Sequence, residues 1–282
     1  MEEQVIAVGA GASARGRAAA DWAAGEALRR GVPLHVVRVA PEGGASAEVE
    51  AELSASELAN RYPALTVRRD TPPGAVVPAL RALGARAGLT VLGTGRTASA
   101  VAGASAGPVV LVPERAFRSD GSDAVTVGVT AGDPPGAAIG FAFEEARLHG
   151  VRLHALSAWA LPAEAAASPL PVPEVDRATW EDEQVQVLSD ALRPWRRAYP
   201  DVEVLADVVL LPPADALVHA ADGSGLLVLG RRGAADLPGL TTRLVLREAR
   251  CPVAVVPGPG PRTMTEGHSA RAPRAADTAC SA

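Results

Sequence analysis

Three glycines, two arginines and two threonines sit close together in the run VLGRRGAADLPGLTTRL, as Gly230, Arg231, Arg232, Gly233, Gly239, Thr241 and Thr242. Glycines let backbone N–H groups approach an anion, a helix opening near Thr241 adds a favourable dipole, and arginines add charge-assisted contacts. Such a run suits phosphate. The same residues also describe a flexible turn with two solvated arginines, and composition alone leaves both readings open. A second short stretch, Gly128–Val129–Thr130, ends an apolar run. In an open parallel sheet, ligands bind beyond the carboxyl ends of the strands where the strand order reverses, so this stretch belongs beside the first.

Other reactive side chains read more simply as structure. Cys251 precedes Pro252 at the start of an apolar run and fits a small core residue. His35 and His154 recur at equivalent places in two similar segments and read as partly buried structural histidines. Asp133 before Pro134 fits a turn or helix cap. No Ser–His–Asp order or metal-ligand spacing is apparent, and a chain without lysine cannot carry a phosphate-loop lysine. The sequence therefore predicts neither a catalytic residue nor a metal site.

The elements that must position these residues come in two sets. ALRRGVPLHVVRVA at Ala27–Ala40 is echoed by ARLHGVRLHALSAW at Ala146–Trp159, 119 positions later. The same offset places Val8 and Gly9 opposite Val127 and Gly128, and Trp22 opposite Phe141, which marks a duplicated unit. Short apolar runs alternate with helical patterns, as in a parallel sheet with crossover helices. The first unit predicts strands at Gln4–Val8, Leu34–Val39, Leu65–Arg69, Thr90–Leu92 and Val109–Val112. The second predicts Ala124–Val129, Arg152–Ala158, Val202–Leu210, Leu226–Leu229 and Val253–Val256. Ile139, Ala142, Phe143 and Ala146 make one apolar helix stripe, and Val185, Leu188, Ala191, Leu192 and Trp195 another, with Pro194 expected to kink or end the second. Leu161–Glu174 reads as a surface loop. The expected organisation is a unit over 1–113, a linker over 114–123, a unit over 124–257 and a disordered tail over 258–282.

LVLGRRG, then Gly239, then CPVAVVP resembles the closing half of the universal stress protein family, and VTVGVTAGDPPGAAIGFAFEEARLHGVRLHALSAW is similar to its start. PWRRAYPDVEV is similar to its second helix and third strand, and the repeat extends the likeness, more weakly, to the first unit. The resemblance implies two tandem doubly wound five-stranded α/β domains, Rossmann-like, assembled through their last strands as a pseudo-dimer within the chain. It also implies ATP binding in some members and not in others. ATP-binding members end the first strand in Asp; here Thr130 and, in the first unit, Gly11 take that place. Their loop reads G-x2-G-x9-G-(S/T), whereas Gly230 to Gly239 is four positions shorter and Leu240 replaces the hydroxyl residue. In the first unit only Gly93 to Gly95 remains, a tight turn before Arg96 and Thr97.

The formal charge of −5 gives no general attraction for phosphate backbones, and no run approaches the roughly 20 apolar residues of a membrane helix. All 27 basic residues are arginine, in keeping with a GC-rich coding sequence. Two cysteines are too few for a disulfide framework, which makes the cytoplasm the expected compartment. These readings converge on a non-enzymatic stress-adaptation protein that binds a partner protein of unidentified kind, without nucleic acid or membrane. The ATP site is expected to be lost in the first unit and degraded in the second. The alternative is an adenine-nucleotide sensor using the second unit alone, and homodimerisation stays open.

Overall fold

The structure, a computed structural model, describes residues 4–9, 11, 13–40, 45–114, 124–130, 136–167, 171–232 and 237–258. The expected tail, apart from Gly258, and the expected linker, apart from Glu114 and the strand start, lie outside them, as do Asp133 and Gly233.

The first unit runs β1 (Ile6–Gly9), α1 (Ala14–Arg30), β2 (Leu34–Val37), α2 (Ala45–Arg61), β3 (Val67–Asp70), α3 (Val76–Gly84), β4 (Leu89–Gly93), α4 (Arg96–Ala104) and β5 (Val109–Val112). The second runs β6 (Ala124–Val129), α5 (Ala137–His149), β7 (Arg152–Trp159), α6 (Ala163–Ala167), α7 (Glu174–Ala198), β8 (Val204–Leu210), α8 (Pro213–Ala221), β9 (Leu226–Arg231), α9 (Leu240–Glu248) and β10 (Val253–Pro257). All ten expected strands are present, with ends shifted by one or two residues. Continuous apolar runs such as VVLV and VAVV make central strands because helices cover both faces of a parallel sheet.

The ten strands form one sheet in the order β3-β2-β1-β4-β5-β10-β9-β6-β7-β8. Every pairing is parallel except the central one, where β5 and β10 run antiparallel with Val109 opposite Val255 and Leu111 opposite Val253. The final strands thus join the two units, as the resemblance implied, and each hides the other's open edge. The duplication extends to fine detail. Gly31 and Gly150 each end the first helix of their unit at φ of 63° and 65°, a left-handed conformation that glycine adopts without steric cost.

Three expectations need correction. Of the two outcomes expected at Pro194, a kink or an end, the end does not occur: α7 continues to Ala198, with Leu192 and Trp195 packed on either side of the proline. Val185 is about half exposed, so the buried stripe of α7 is narrower than the pattern suggested and centres on Leu188 and Leu192. The loop over Leu161–Glu174 carries the one-turn helix α6. Among the described residues, no helix is long and apolar enough to cross a membrane.

Candidate functional site

In the second unit, β6 ends in Gly128–Val129 and β9 ends in Gly230–Arg231, side by side at the carboxyl edge of the sheet. The β6 end must be small, since a Cβ on Gly128 would lie 2.8 Å from a methyl of Leu217. Gly128, Val129, Thr130, Gly230, Arg231, Arg232, Gly239, Thr241 and Thr242 all line one cleft of about 380 Å³. Nine of the ten expected binding residues therefore meet in one place, and Gly233 lies outside the described residues. An apolar wall of Leu156, Leu217 and Leu229, with Ala158 and Pro213, completes it. Sequence reasoning missed that wall, because those side chains look like ordinary core positions until the strand ends are aligned. Helix α9 follows Gly239 with no side chain capping its first turn, so its leading N–H groups remain available to an acceptor.

Arg231 departs from the expected role. Its guanidinium donates to the carbonyl oxygens of Gly103, at 2.9 Å, and Ser105, at the C-terminal end of α4 in the other unit. Burial, helped by the nearby positive charge of Arg81, lowers its pKa. Arg231 thus borders the cleft while its donors close the end of a neighbouring helix. Arg232 is exposed. The cleft's remaining polar side chains are the threonine hydroxyls of Thr130, Thr241 and Thr242.

The first unit keeps a cleft at the equivalent edge, of about 730 Å³. It is lined by the glycine-rich turn after β1, with Gly9, Gly11 and Gly16, and by Arg15, Arg38 and Thr97. The turn between β4 and α4 is short, and the hollow is present beside it. Its arginines, however, are engaged: Arg15 lies 3.7 Å from Glu114 and Arg38 pairs with Glu50. The helix above it is capped, with Gly16 N–H donating to the Ser13 hydroxyl at 3.1 Å. A Cβ on Gly93 would sit 2.7 Å from the Arg15 carbonyl, so the short β4 turn lies directly against this loop. The spacing of glycines in GAGASARG was the available signal for this hollow.

The profile of the universal stress protein family matches residues 122–257. A universal stress protein of Mycobacterium tuberculosis is 31% identical, over 89% of this chain and 94% of its own length. The chain belongs to the universal stress protein family. A universal stress protein structure from Archaeoglobus fulgidus superposes with a TM-score of 0.66 at 15% identity, covering 91% of this chain and 99% of the other. A functionally unknown protein from Pseudomonas aeruginosa superposes at 0.57 with 18% identity, covering 90% and 92%. Both structures span the two units of this family member, so the tandem architecture is common to all three.

The reactive side chains outside the clefts behave as core. Burial pushes the Cys251 thiol up to about 12, far from a reactive thiolate. His154 lies 3.5 Å from both the Thr126 hydroxyl and Asp207, on strands β6 and β8 that flank its own β7. His35 occupies the matching position on β2, opposite Ala7 and Arg68, in the other unit.

Proposed function

We propose that this universal stress protein acts in stress adaptation by binding, with a nucleotide site lost in the first unit and degraded in the second. The observation that carries this reading is the second cleft itself. It gathers glycines, threonines and an uncapped helix start, yet Thr130 stands where a carboxylate is needed and Arg231 is turned to the α4 carbonyls. Among the described residues, no carboxylate, histidine or cysteine lines it, which favours holding a ligand over transforming one. Losing two charge-assisted contacts moves a micromolar affinity towards millimolar, at about 1.5–3 kcal/mol each. The output then passes to a protein partner in the cytoplasm.

A second reading has its own support. Convergence of Gly128, Gly230, Gly239, Thr241 and Thr242 on one hollow favours an adenine-nucleotide sensor in the second unit. Calorimetry with ATP, and nucleotide analysis of the protein as isolated, separate the two. The binding-degraded reading expects little heat and no retained nucleotide. A low-micromolar dissociation constant abolished by Gly233→Val would replace it with the sensor.

A further inference from the structure

Across the seam, α1 and α5 lie against each other and bring together Glu26, Arg30, Glu145 and His149. The arrangement is nearly two-fold: Glu26 and Glu145 are equivalent by the 119-residue offset, and so are Arg30 and His149. Both glutamate side chains are fully buried. Each divides its oxygens in the same way. The two Oε1 atoms accept from Arg30, from Nε to Glu26 at 2.8 Å and from an Nη to Glu145. The two Oε2 atoms turn to His149 Nε2, at 2.8 Å for Glu26 and 3.5 Å for Glu145. Arg29 also reaches Glu26 Oε2 at 3.4 Å, and Glu144 lies 4.0 Å from Arg30 at the surface.

We propose that Glu26, Glu145 and His149 form a divalent-cation site, suited to zinc, that bridges the two units. Each offers one ligand atom, and these atoms lie within 4.8 Å of one another. Zinc bonds to nitrogen or oxygen of about 2.0–2.2 Å set two ligands at most about 4.4 Å apart, so the three side chains close on the ion by small shifts. A further observation points the same way: Glu145 Oε2 is buried and meets no donor in hydrogen-bonding geometry among the described residues, with its ion-pair partner His149 Nε2 3.5 Å away, which leaves a lone pair for a cation. Arg30 donates to the opposite oxygens of both carboxylates, and such outer hydrogen bonds keep metal ligands in register. His149 is about one-fifth exposed, which gives the ion a route in from solvent.

Imidazole with two carboxylates suits zinc and its neighbours rather than calcium or magnesium, which take oxygen sets. Among the described residues the two carboxylates also face the guanidinium groups of Arg29 and Arg30. A metal at Nε2 requires neutral imidazole, so any proton held there leaves to solvent on binding. The Arg30 charge and that proton release lower affinity, so the expected dissociation constant is about micromolar rather than the far tighter values of closed structural sites.

The test is calorimetric titration of zinc chloride into chelator-stripped full-length protein, in two buffers of different protonation enthalpy. About one ion should bind with release of about one proton. Cobalt(II) should give visible bands of a low-coordinate site, and zinc should raise the thermal midpoint. His149→Arg recreates at that position the residue its counterpart Arg30 already carries, so the cluster keeps its charge and the fold. This variant should lose at least about tenfold in zinc affinity together with the cobalt bands. Glu145→Gln serves the same purpose with the shape preserved. No zinc binding by the wild type up to about millimolar, or equal binding by wild type and both variants, overturns the site.

Discussion

The two units share a sheet order, cap glycines and small residues at the ends of their first strands, yet they fasten their outer helices differently. In the second unit, α7 lies on α5 through stacked rings: Phe143 is 6.4 Å from Trp195 and 5.7 Å from Tyr199, centre to centre. Gly140 is part of that contact, since a Cβ there would run into the Trp195 ring. In the first unit, the position equivalent to Gly140 is Asp21, and it meets α2 through Arg61 and the Tyr62 hydroxyl near the surface. A duplicated fold therefore tolerates either an apolar or an ionic joint at the same place, as long as the sheet beneath is common. The clefts diverge too: the first, of about 730 Å³, has its arginines ion-paired, and the second, of about 380 Å³, sets threonines beside its glycines.

The sharpest test of the joints is a matched pair of truncations. Trp195→Ala should destabilise the protein by about 2–4 kcal/mol, whereas Asp21→Ala should cost under about 1 kcal/mol, because exposed ion pairs contribute little. Equal losses in denaturant unfolding would mean that the ionic joint matters as much as the stacked one.

The seam between the units should respond to pH. Burial alone would lower the pKa of His149, but contact with the Glu145 and Glu26 carboxylates outweighs it and raises the value to about 9. Burial would raise Glu26, yet His149 and Arg30 bring it down to about 2, while Glu145 is raised, chiefly by burial. A histidine whose folded pKa lies above its ordinary 6.5 stabilises fully below that value and loses the contribution as pH climbs through 9. Metal-free protein should therefore lose stability between pH 6.5 and 9, by about 1–3 kcal/mol. His149→Arg should flatten that slope, and a slope unchanged by it would assign the loss to other groups.

The smallest effect concerns the clefts. Thr130→Asp restores a carboxylate beside the glycine-rich turn and should strengthen ATP binding in the second unit by about tenfold, the worth of one charge-assisted hydrogen bond. Gly11→Asp places the same group in the first unit, where the side chain would point towards Ser13 and Arg38, and should change ATP binding less than about threefold. Comparable gains at the two positions would erase the distinction drawn between the clefts.

Much of the fold was legible from local signals. Val109–Val112 and Val253–Pro257 read as strands because every side chain in a doubly covered parallel strand is apolar. The residues that line the second cleft were legible as a group because their glycines interrupt that pattern at strand ends. The Arg231 contacts were not legible, since nothing near an arginine in sequence tells which carbonyl it will meet. Pro194 is a related case: local backbone preference argues for a kink or a helix end, and the end does not occur where Leu192 and Trp195 pack on either side.

By itself the sequence determined the duplication, the alternation of strands and helices, and the strand ends that border the second cleft. Each of these is written in spacings of a few residues or in one offset of 119. The tertiary structure alone decided that Arg231 closes α4 of the other unit and that Glu26 meets His149. Antiparallel pairing of β5 with β10 brings residues more than a hundred positions apart into contact. Periodicity reports which face of an element is buried, and it holds no record of the partner that buries it.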